Sequence, residues 1–119
     1  MKTADSYKES DILKFIGLAA RASKVVSGST AILEEAKRGH IKVLLIASDI
    51  SENSLKDLLD NVAKTDKGIP AAYKFSDKRS LGNAIGKPDR ALVGITDEGF
   101  AGKLELMLER LDDKEGQNL

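Results

Sequence analysis

The sequence predicts an α/β fold, a three-layer α/β/α sandwich in which helices cover both faces of a largely buried sheet. Three observations predict it. Segments with apolar residues at helical spacing alternate with short β-type runs along the whole chain. The run Ile41-Lys42-Val43-Leu44-Leu45-Ile46-Ala47 is apolar but for Lys42, as expected of a strand buried on both faces. A length of 119 residues, 41% hydrophobic and 32% charged, suffices for one domain with its own core and lies far from the compositions of disordered chains. A single domain over residues 1–119 is expected, with an ordered core from about 10 to 110.

Ile12, Phe15, Ile16 and Ala19 recur at helical spacing, giving a first helix from about Ser10 to Ala22 with Ser10 or Asp11 as its cap. Lys24-Val25-Val26-Ser27 is a short β-type run closed by Gly28. Ala31, Ile32, Leu33 and Ala36 then mark a second helix that Gly39 ends. After the strand at 41–47, Ser51 precedes Leu55, Leu58, Leu59 and Val62, the stripe of an amphipathic helix stopped by Gly68 and Pro70. Residues 71–75 read as a strand. Ser76 or Asp77 caps a short helix carrying Leu81 and Ile85, Gly86-Lys87-Pro88-Asp89 is a loop, and 90–95 is another strand. Phe100, Leu104, Met107, Leu108 and Leu111 lie on a closing amphipathic helix, and the polar residues 112–119 are expected to fray.

Composition removes several classes of chemistry. With no cysteine there is no disulfide framework, thiolate metal site or cysteine nucleophile. The one histidine, His40, falls between Gly39 and Ile41 and reads as a surface turn residue. Neither G-x-x-x-x-G-K-[ST] nor G-x-G-x-x-G occurs, so nucleotide hydrolysis is not indicated and no cofactor is expected. The first residues carry no apolar run of the signal type, and no later one approaches the ~20 residues that span a bilayer. A cytoplasmic monomer with no membrane and no small-molecule substrate is expected.

The formal net charge of zero hides a division. Residues 12–48 and 64–90 together hold thirteen bases and five acids, while from Asp97 onward acids outnumber bases. Within the basic stretches, Gly28 joins a strand to a helix among the hydroxyls of Ser27, Ser29 and Thr30. The first amides of a helix have no intrahelical partner and sit at the positive end of its dipole, so phosphate or a base acceptor could dock there. Local chemistry by itself favours a simpler role, in which Ser27 or Ser29 caps the helix for about 1 kcal/mol. Lys78, Arg79, Lys87 and Arg90 flank two turns that this element order could bring to the side of Gly28. Tyr7, Phe15, Tyr73, Phe75 and Phe100 form no surface cluster, so a folded RNA fits better than a stacked single strand. Asp49, just past the buried strand, is either a phosphoacceptor of a signalling domain or a plain strand-end residue.

Several motifs in order carry a more specific signal. Gly17-Leu18-Ala19-Ala20-Arg21-Ala22, Lys24-Val25-Val26-Ser27-Gly28, Val43-Leu44-Leu45-Ile46-Ala47-Ser48-Asp49, Gly68-Ile69-Pro70, Leu81-Gly82-Asn83-Ala84-Ile85-Gly86-Lys87 and Thr96-Asp97-Glu98-Gly99-Phe100-Ala101 resemble the ribosomal L-seven-Ae superfamily of kink-turn RNA binders, nearest its bacterial YlxQ-like branch. The resemblance covers about residues 10–110. It implies a four-stranded mixed sheet and a non-enzymatic protein related to ribosomal proteins, whose partner is structured RNA, with ribosomal RNA or the ribosome among the expected targets. It implies an RNA surface of Lys24, Gly28, Ser29, Thr30, Ala31, Lys78, Arg79, Arg90, Ala91, Leu92 and Val93, the last four packing on a nucleotide flipped from the bulge. Family members commonly place Asn or Lys, then Glu or Gln, where this chain has Thr30 and Ala31, and Lys a turn on, where it has Glu34. That departure keeps a second reading open, a protein-interaction or ribosome-assembly adaptor that kept the fold and lost base readout.

Overall fold

A computed structural model describes residues 6–112 of the chain. Five helices and four strands alternate: α1 (Glu9–Arg21), β1 (Val25–Ser27), α2 (Ser29–Lys37), β2 (Val43–Ile46), α3 (Glu52–Val62), β3 (Ala72–Lys74), α4 (Lys78–Ala84), β4 (Leu92–Ile95) and α5 (Glu98–Glu109). The strands form one sheet in the order β1-β4-β2-β3. β4 pairs antiparallel with both β1 and β2, and β3 lies parallel to β2, so the sheet is mixed, as the resemblance implied.

Alternation along the two central strands divides the core. Val43, Leu45, Val93 and Ile95 face α1, α4 and α5, where Ile12, Ile16, Leu81, Leu104 and Met107 meet them. Leu44, Ile46 and Leu92 face α2 and α3, packing on Ile32, Ala36 and Leu58. All four residues of β2 and all four of β4 are buried, which is why the run at 41–47 shows no polar alternation.

Helix starts follow local chemistry, with two corrections. Asp77, not Ser76, caps α4, accepting from Ser80 N at 2.7 Å; Ser51 and Asp97 cap α3 and α5 in the same way. α1 begins earlier than expected, and Asp11 sits inside its first turn, reaching back to the Lys8 N–H at 2.8 Å. The ladder also ends short of Arg90 and Ala91, which belong to the loop before β4. At the chain's other limit, Asp112 N donates to Tyr7 O at 2.7 Å, so the first residue of the supposed tail is tied in; residues 113–119 lie outside the described residues. Among the described residues no helix is long and apolar enough to cross a membrane.

Candidate functional site

Four chain segments meet where β1, β2 and β3 finish and β4 begins. Gly28 stands at φ +88°, a backbone geometry that glycine adopts at little cost. Its N–H donates to Leu92 O at 3.1 Å, and its carbonyl accepts from Ile32 N at 3.0 Å. One residue thus makes the last rung of β1 on β4 and the first hydrogen bond of α2. The amides of Ser29, Thr30 and Ala31 are left at the head of α2 with no partner among the described residues. The expected serine cap is absent: Gly28 holds the N-cap position and no side chain bonds the first amides. The Ser27 hydroxyl turns instead to Arg90, accepting from its Nε at 3.1 Å.

Arg90 is the joint of the site. Its backbone N–H donates to Lys78 O at 2.9 Å, fixing the loop before β4 to the head of α4. Its Nη1 donates to Asp89 O at 3.0 Å, so the half-buried guanidinium is held across the turn. On the other side Asp49 Oδ1 accepts from Lys78 N at 2.9 Å. The end of β1, the end of β2, the start of α4 and the entry to β4 are therefore linked through Ser27, Arg90, Lys78 and Asp49. The side chains of Lys78 and Arg79 project from this frame, exposed and without an ion pair among the described residues. Asp77 beside them is held below its usual carboxylate range by the Ser80 amide and hydroxyl, and further by the neighbouring Arg79.

The result is a surface of outward amides, two hydroxyls and exposed cations on a hydrogen-bonded frame, suited to anionic, hydrogen-bonding ligands. Asp49, considered above as a phosphoacceptor, serves as the hydrogen-bond acceptor that seats α4. Among the described residues no group of three His, Cys, Asp or Glu side chains is placed to hold a metal ion.

The sequence matches the model of the ribosomal protein L7Ae/L30e/S12e/Gadd45 family over residues 10–105. The chain belongs to that family. It is 38% identical over 95 residues to the RNA-binding protein YlxQ of Bacillus subtilis, covering 79% of this chain and 91% of that one. It is 33% identical over 97 residues to the RNA-binding protein YlxQ of Enterococcus faecium, covering 82% and 90%. A solved structure of a Bacillus halodurans protein, described as of unknown function, superposes with a TM-score of 0.71 at 28% identity, over 82% of this chain and 96% of that one.

In this L7Ae-family chain the structure sorts the expected site residues into three groups. Gly28, Ser29, Thr30, Ala31, Lys78, Arg79, Arg90 and Ala91 come together at one end of the sheet. Lys24 does not join them: its carbonyl accepts from Thr96 N at 2.9 Å at the opposite end of β1, which places it about 13 Å away along an extended chain. Leu92 and Val93 are strand residues 4% and 0% exposed, one on each face of the sheet, so their side chains are committed to the core. Lys87 also stands apart, beyond the C-terminal end of α4. Ser27 and Asp49, which the sequence offered as a helix cap and as a phosphoacceptor or strand-end residue, are positioning residues instead, Ser27 as acceptor for Arg90 and Asp49 as acceptor for Lys78.

Proposed function

We propose that this chain is a non-enzymatic RNA-binding protein that takes a kinked or otherwise structured RNA, ribosomal RNA among the targets, onto the end of the sheet around Gly28. The observation that carries this reading is the convergence of the open head of α2 with Lys78, Arg79 and the Arg90 loop, in a family whose YlxQ members are named as RNA-binding proteins. Backbone amides and the Ser29 and Thr30 hydroxyls meet phosphate or base acceptors, while Lys78 and Arg79 neutralise the backbone of the flanking strand. Glu34, one turn on, lies 3.9 Å from the Arg38 guanidinium, which offsets part of its charge. Titration of a labelled kink-turn RNA and an unkinked duplex of equal length tests the reading. Tighter binding of the kinked RNA is expected; equal affinity for the two removes the kink-turn part, and no binding to either removes the RNA reading.

The adaptor reading keeps one specific support: Thr30 and Ala31 stand where family members commonly place Asn or Lys and then Glu or Gln. Partners recovered with the tagged protein separate the two. Loss after nuclease treatment favours RNA, and survival favours the adaptor.

A further inference from the structure

Beside the site, α1 and α4 pack with their starts together, for Ser76 Oγ donates to Glu9 Oε2 at 2.6 Å just ahead of α4. Farther along, the α4 backbone approaches so closely that a Cβ on Gly17 would stand 3.0 Å from Ala84 O. On the outer side of this contact lies an open groove of about 640 Å³. Its floor is aliphatic, made by Leu13, Gly17 and Ala84, with Leu18 50% exposed at its edge. Only one other large apolar side chain among the described residues, Leu59, is so exposed. Lys14, Leu18 and Arg21 occupy positions i, i+4 and i+7 of α1, so both cations flank the exposed leucine on one face. No acidic side chain lines the groove, and neither cation has an ion pair among the described residues. A second depression on the far side of Arg21 continues it to Gly86.

We propose that this groove receives an acidic amphipathic helix from a partner protein, its apolar stripe against Leu13 and Leu18 and its carboxylates on Lys14 and Arg21. Three features select that occupant. The nine residues from Leu13 to Arg21 span about 12 Å, which is two turns of helix and the length over which i, i+3 or i+4 and i+7 side chains make one stripe. The rim is cationic at both ends and uncompensated, so charge complementarity requires an acidic ligand. The lining holds no aromatic ring, which leaves a nucleic acid no stacking platform and suits branched aliphatic side chains. The site stands independently of the RNA reading, because Gly28, Lys78 and Arg90 take no part in it.

A photo-crosslinking amino acid in place of Leu18, in the full chain and in cells, tests the proposal when the adducts are nuclease-treated and sequenced. The expected adduct is a peptide richer in Asp and Glu than in Lys and Arg, with apolar residues at helical spacing. Its yield falls about tenfold in the Lys14→Glu/Arg21→Glu background, a change of about 1.4 kcal/mol in binding. Both substituted residues are exposed, and because Glu at position 21 opposes the dipole at the end of α1, the melting temperature is followed alongside, with a fall of no more than several degrees expected. A nucleotide adduct assigns the groove to RNA and overturns the proposal. So does a basic or unpatterned peptide, or a yield no higher than that from the same probe at Leu59.

Discussion

Arg90 and Lys78 were grouped by the sequence as two bases near two turns, yet the structure gives them different work. Arg90 donates through Nε to Ser27 and through Nη1 to Asp89, whereas the Lys78 ammonium has no ion pair among the described residues. Lys78→Ala is expected to lower RNA affinity and to flatten its salt dependence by about 0.7 to 0.9 of a unit of slope, the signature of one lost phosphate contact. Arg90→Ala is expected to lower affinity with a smaller change in slope, because it loosens the turn at Ser27; measuring Kd across a salt series for both variants checks the contrast. A slope change of equal size for the two would make Arg90 a phosphate contact like Lys78. Thr30 and Ala31 allow a complementary gain. Thr30→Asn/Ala31→Glu restores the side chains that family members commonly present there, and each good base contact contributes about 1–3 kcal/mol. Affinity for a kink-turn RNA should rise about tenfold or more, with little change for an unkinked duplex; no gain would show that the head of α2 does not face guanines.

At the scale of elements, nearly every helix and strand was legible because its signal is local. The stripes of α1, α3 and α5, the apolar run of β2, and the acids or serine ahead of α3, α4 and α5 each act within a few residues. What was not legible depended on pairing across the chain. The change at Arg90-Ala91-Leu92 marks a strand but does not reveal that it starts only at Leu92, whose carbonyl accepts from Gly28 N. Nor does Gly28 reveal that it, and not a flanking serine, will hold the cap position. Gly82 belongs to the same class. A Cβ there would fall 2.0 Å from Pro88 O and 2.9 Å from Lys87 O, backbone atoms that cannot move aside as a flexible side chain can. The α4 glycine therefore sets how the 86–89 turn crosses the helix on its way to Arg90. Gly82→Ala should cost at least about 1–3 kcal/mol, as overpacking does in a well-packed core. Denaturant unfolding would register this, and an unchanged midpoint would contradict the packing described here.

For the whole molecule, the fold divides a charge pattern that the chain had mixed. The basic stretches do not form one surface. Lys78, Arg79 and Arg90 gather at the Gly28 end of the sheet, while Lys37, Lys64 and Lys67 line a cleft between the far ends of α2 and α3, and Lys24 lies at the far end of β1. Acidic α5 covers the opposite side of the sheet from α2, where Glu105 accepts from the Tyr73 hydroxyl at 2.9 Å. The net charge of zero is thus compatible with one end that favours polyanions, and the site is set by topology more than by base content. The most direct measurement is amide NMR of the isotope-labelled protein titrated with a kink-turn RNA. The largest shifts are expected at Ser29, Thr30, Ala31, Lys78 and Ala91, with the Lys24 and Lys64 amides unmoved. Shifts centred on the Lys37, Lys64 and Lys67 cleft, with the head of α2 undisturbed, would contradict it.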